Sequence, residues 1–154
     1  MKKFFLFLLM AFISLNAQSI QVGSNITLLN NYKYETPKSR QMKVPLNTKT
    51  VIIAYEKDTG KLVNDFLSKK NKYFLQRNKA IYIADIHKMP TVITNMFALP
   101  NLRKFKHLIY LHYGDKFEKI APKQNAKISV VTFENKKVKT ISFISSTEEL
   151  SKIF

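Results

Sequence analysis

The chain has no cysteine and no tryptophan, and only three glycines in 154 residues. Without sulfur it can form no disulfide, no thiolate metal site and no thiol nucleophile, since each needs a Cys side chain. Gly23, Gly60 and Gly114 are too few and too scattered to build a glycine-rich phosphate cradle. Acid is scarce as well: ten Asp and Glu stand against 26 Lys and Arg, for a formal charge of +16. After the first residues no stretch approaches the ~20 apolar residues that a membrane span requires. A chain of this length fits one domain with a core that needs no staple.

What is present begins with an export pattern. Lys2 and Lys3 precede an unbroken apolar run from Phe4 to Ile13, followed by Ser14-Leu15-Asn16-Ala17. A positive start, a short apolar core and a small residue form the tripartite secretory signal, and the run is too short to span a bilayer. Residues 1–17 are expected to be a signal peptide, cleaved after Ala17 or after Ser19. Export together with frequent Lys, Asn and Ile points to a bacterial periplasm.

Residues 18–48 read as a polar arm or short hairpin, with apolar groups at Ile26-Leu28-Leu29 and Val44-Leu46 and the turn residues Asn30-Asn31 and Pro37-Lys38-Ser39 between them. Residues 49–154 carry the regular pattern. Val51–Tyr55 and Ala80–Ala84 are continuous β-rich runs of buried-strand length, and Leu108–Leu111 reads as a third. Helical spacing follows Lys61, with Leu62, Val63, Phe66 and Leu67 on one face and Asp58 or Thr59 as the cap. A second helical pattern follows Pro90, with Val92, Ile93, Met96 and Phe97 on one side. Pro100 should kink or restart it, because proline supplies no backbone donor. Ile128–Phe133 and Val138–Phe143 flank four polar residues as a hairpin, and Ser145–Leu150 opens a last helix with a hydroxyl cap and early carboxylates.

Alternating strands and helices followed by a hairpin imply an α/β sandwich with a mixed central sheet. Lys49–Tyr55 with its following helix, and Val130–Phe133 through Ser146–Ser151, resemble the thioredoxin-like fold. Val22-Gly23-Ser24…Leu28 is similar to the entry segment of its peroxiredoxin-type and cytochrome-maturation relatives. More closely, Asp85-Ile86-His87-Lys88-Met89-Pro90 and Met96-Phe97-Ala98-Leu99-Pro100 resemble small exported proteins of epsilon-type bacteria with no settled activity, some labelled flavin dehydrogenases. The resemblance implies helices on both faces of the sheet, a C-terminal β-hairpin and a final helix.

The departures bear on function. Where thioredoxin relatives carry redox cysteines, this chain has Glu56-Lys57-Asp58-Thr59-Gly60-Lys61, and Ile128 stands where their cis-proline would be expected. The resemblance therefore supports the scaffold and argues against disulfide exchange. A flavin enzyme lacks support because no glycine fingerprint is present. No cofactor is implied.

The chemistry-bearing candidates are few. Asp85 and His87 fall at the carboxyl end of a central strand, where an acid two residues from an imidazole can orient it as a general base; a loop cap with a solvent-facing His is the plainer alternative. His107 and His112 would join His87 in a metal site only if their loops converged, so no metal is assigned. The helix start at Thr59, Gly60 and Lys61 could hold an anion on free backbone donors or be merely solvated. Lysine clusters at 69–72, 103–106 and 136–139 point to an anionic envelope surface or to a solvated face; no nucleic-acid module is present. The expectation is an exported non-redox binding or accessory module with an unknown protein partner or an anionic surface as its target. The alternative is a periplasmic enzyme working through Asp85 and His87.

Overall fold

A computed structural model describes residues 19–154; the expected signal peptide lies outside them. Seven strands form one mixed sheet in the order β2-β1-β5-β4-β3-β6-β7. Its centre is parallel: β3 (Thr50–Ala54) pairs with β4 (Ala80–Asp85), and β4 with β5 (Tyr110–His112). On the other side of β3, the long hairpin of β6 (Ile128–Glu134) and β7 (Lys137–Ile144) runs antiparallel, with Val51 opposite Val131.

Strand β3 is buried along its whole length because the period of two sends alternate side chains into two separate cores. Ile52 and Ala54 face α1 (Lys57–Ser68) through Val63, Phe66 and Leu67, together with Leu150 of α6 (Thr147–Ser151). Val51 and Ile53 face Ile26 and Leu29 of a 3-10 turn (Ile26–Asn31), and Phe117 and Ile120 of α5 (Phe117–Ile120). Phe154 packs on Phe66 and Phe74 of the helical layer rather than on the sheet.

The arm belongs to the sheet. β1 (Tyr34–Glu35) and β2 (Gln41–Met42) form a short hairpin that extends β5, and Ser24 and Val138 are tied by a backbone bond of 2.8 Å. The apolar groups at 26–29 and 44–46 are not its strands. Ile26–Leu29 coils into the 3-10 turn, and Val44 is fixed by Asn30, whose side chain both donates to and accepts from its backbone.

Three local features depart from the sequence pattern. Helix α1 begins at Lys57, ahead of the apolar spacing, because Glu56 and Thr59 form a capping box; the Thr59 hydroxyl accepts from the Glu56 N–H and donates to its carbonyl. Gly60 thus lies in the first turn of the helix. The β6–β7 connection is two residues, not four: Asn135 and Lys136 both take positive φ (50° and 65°), the type I′ geometry that matches strand twist. After α2 (Phe74–Arg77) and β4, residues 91–102 form one continuous helical rod in three parts: α3 (Thr91–Ile93), a π-helical stretch (Thr94–Ala98) and α4 (Leu99–Leu102). Pro100 cannot donate to the preceding turn, and the wider π spacing absorbs that loss without ending the rod.

Candidate functional site

At the carboxyl end of β4 the Asp85 side chain is almost wholly buried, and both of its oxygens lie 3.0 Å from His87 Nδ1. A carboxylate only accepts, so Nδ1 carries the proton and Nε2 is left as the basic nitrogen. The Asp85 Oδ1 also accepts from the His87 backbone N–H, which fixes the turn after the strand. Nε2 lies 4.0 Å from Glu118 Oε2. Glu118 in turn accepts from Lys123 and Lys88, each at 2.9 Å, and these two ammonium groups hold its carboxyl down at about 2. Asp85, His87 and Glu118 place ligand atoms within 4.8 Å of one another. Glu118 is already committed to two lysines and His87 Nδ1 to Asp85, so the cluster is a hydrogen-bonded ion-pair network and no metal is assigned to it.

The three histidines do not converge. His107 Nε2 donates to Asn64 Oδ1 at 2.9 Å, beneath Phe105, and burial lowers its pKa to about 4. His112 Nδ1 donates to the Lys33 carbonyl at 2.9 Å, and its Nε2 is buried without a partner among Tyr32, Tyr34 and Phe117. Gly114 matters here, because a Cβ at that position would sit 3.0 Å from His112 Nε2.

Thr59, Gly60 and Lys61 lie inside the first turns of α1. The capping box occupies that end, Asp58 adds a second carboxylate to the first turn, and Lys61 pairs outward with Asp65. An incoming anion would meet the chain's own acids there.

A group of cations lies at the opposite end of the sheet. A cleft of about 830 Å³ opens at the amino ends of β3, β4 and β5. Lys38, Arg40, Lys72, Lys79, Arg103 and Lys106 line it, and no carboxylate does. One wall is the arm hairpin, held in place by a 2.8 Å bond from Arg103 Nε to the Pro37 carbonyl. The floor is apolar and aromatic, with Leu75, Phe105 and Ile109 beside buried His107. This volume and this mixture of apolar floor and convergent polar groups match small-ligand sites. Two of the three lysine-rich clusters contribute to it. Its other cations come from the arm and from Lys79, whose positions in the chain gave no sign that they would meet.

No protein-family model matches the chain, and no curated protein matches it. Solved structures do. A conserved protein of unknown function from Bacteroides fragilis superposes with a TM-score of 0.55 at 7% identity, covering 89% of this chain and 99% of that one. An uncharacterized thioredoxin-like protein from Porphyromonas gingivalis gives 0.53 at 12% identity, over 84% and 91%. A mutant of PrxQ from Xylella fastidiosa gives 0.55 at 9% identity, over 88% and 96%. At such identities the likeness concerns the scaffold alone: this chain has a thioredoxin-like fold, and it has no cysteine with which to exchange disulfides.

Proposed function

We propose that the protein is an exported, non-redox binding module that uses the thioredoxin-like scaffold to hold an anionic ligand in the cleft at the amino ends of β3–β5. One observation carries the reading: six cations converge on a cleft whose lining includes no carboxylate. Lys61, Lys88, Lys123 and Lys139 each pair with a carboxylate; the cations around the cleft have none among its lining residues, and the positive potential is left for a ligand. Export rests on the Lys2-Lys3 start and the Phe4–Ile13 run, and intact-mass measurement of the native protein checks it by locating the first residue.

Titration with inorganic pyrophosphate, followed by amide resonances, tests the cleft. Saturable shifts confined to Arg40, Lys79, Arg103 and Lys106 are expected, with at least tenfold weaker binding in Arg40→Ala/Lys106→Ala and a steep loss with added salt. Shifts spread evenly over surface lysines would refute the site.

A second reading has its own support. The Asp85–His87 pair has the orientation that turns an imidazole into a general base, with its other nitrogen 4.0 Å from Glu118. It stands if a turnover is found that His87→Ala and Asp85→Ala both abolish.

A further inference from the structure

The rod at residues 91–102 is built inside out. Its first half buries only Thr94, whose hydroxyl donates back to the Pro90 and Met89 carbonyls. Val92, Ile93, Met96 and Phe97, the residues with the helical spacing of a core face, are exposed at 64, 45, 64 and 57%. Only the second half, through Leu99 and Leu102, packs against the helical-side core. Amphipathic helices of soluble proteins turn this stripe inward, and four large apolar side chains gathered on one exposed helix face mark a docking surface.

The charge around the rod selects the occupant. Along the chain no acidic residue occurs between Asp85 and Asp115; Lys88, before the rod, is paired with Glu118, while Arg103, Lys104 and Lys106 follow the rod. Apolar Phe, Met and Ile on one face of a helix that bears no acid and runs into three cations is the chemistry of a helix lying in the interface of an anionic bilayer. No helix among the described residues is long and apolar enough to cross a membrane, so the contact is one that rests on the surface. We propose that residues 91–102 dock this protein on an anionic lipid surface, with Met96 and Phe97 entering the acyl boundary. Val92, Ile93, Met96 and Phe97 do not line the cleft, although Arg103 and Lys106 border both, so the two sites are separated by their other residues.

The lack of tryptophan makes a direct test available. In the full chain carrying Phe97→Trp, indole emission reports on that one position, whatever residues 4–13 do. Vesicles of phosphatidylcholine with 30 mol% phosphatidylglycerol are expected to shift the emission to the blue and protect it from acrylamide, while phosphatidylcholine vesicles leave it unchanged. Adding Met96→Glu should abolish the shift with the fold retained, since that side chain touches solvent. Lys104→Ala should weaken binding about fivefold, from the roughly 1 kcal/mol that a basic residue contributes near an anionic leaflet. An unchanged spectrum with anionic vesicles overturns the proposal, as does an equal shift with neutral ones. Emission already blue-shifted without lipid overturns it too, in favour of a second copy if it depends on concentration and of the chain's own residues 4–13 if it does not. Loss of the response in Arg40→Ala/Lys79→Ala, which spares every cation flanking the rod, would overturn the proposal and reassign lipid binding to the cleft.

Discussion

His107 gives the sharpest test of the energetics of the cleft wall. It is 7% exposed, donates to Asn64 across the base of α1, and lies against Phe105 with ring centroids 5.0 Å apart. Burial penalises its charged form and lowers the pKa from 6.5 to about 4. Acidification therefore protonates the unfolded chain first. Stability is complete above pH 6.5, falls as pH drops through the window from 6.5 to about 4, and levels off below it. The gap between the two values corresponds to about 3 kcal/mol. At a denaturant slope of about 2 kcal/mol per molar urea, the midpoint should fall by more than about 1 M between pH 7 and 4.5. Carboxylates also titrate near the acid end, so the comparison is with His107→Leu/Asn64→Leu, which removes the imidazole and the amide it serves together. That variant should lack the loss between pH 6.5 and 5. The His107 Cε1 proton resonance should titrate with a midpoint near 4; a midpoint near 6.5, or equal pH profiles for the two proteins, would show that burial does not hold this ring neutral.

Leu150 is fully enclosed between α6 and the sheet, so Leu150→Ala should cost about 2–5 kcal/mol in urea unfolding, and a loss under 1 kcal/mol would mean α6 is not packed as described. Lys136 bears a side chain at φ 65°, and Lys136→Gly should stabilise the hairpin by up to about 1 kcal/mol, raising Tm by a few degrees rather than lowering it. The Glu118 carboxylate is held low by Lys123 and Lys88, so its stabilising effect is present above pH 4.5 and lost as pH falls toward about 2. Glu118→Gln should remove that acid-limb dependence in thermal melts, and an unchanged limb would discount the two ion pairs. Reductase assays on insulin should show no turnover with or without added thiol, because the chain holds no sulfur nucleophile.

The strands were legible because Val51–Tyr55, Ala80–Ala84 and Ile128–Phe133 are short runs rich in β-branched and aromatic residues with polar boundaries, the length and composition of strands buried on both faces. Asp85 at the end of β4 was equally readable from where the apolar run stops. The start of α1 was not, because its capping threonine works from within the helix and Gly60 mimics a loop. Periodicity marked Val92, Ile93, Met96 and Phe97 as one face but carries no sign of inside or outside; only the packing of Leu99 and Leu102 decides that. The cleft was invisible for a different reason. Lys38 and Arg40 reach Lys79 and Arg103 through a hairpin whose place at the sheet edge is set by tertiary contacts.

The arm also sets a schedule for the chain. Ile20 is bonded to the Ile120 carbonyl, Gly23 and Ser24 to Val138, Ile26 to Lys136, and Glu35 pairs with Leu111. The segment synthesised first thus waits for partners synthesised last, across loops of about a hundred residues whose closure entropy must be met before any of these contacts gives a return. Local helix and hairpin formation relieves none of that wait. A chain released up to residue 110 has no partner for Ile20 through Ile26 and no completed β5 for β1, so one of its two cores remains open. On this topology, folding to completion is expected to wait until β7 has emerged.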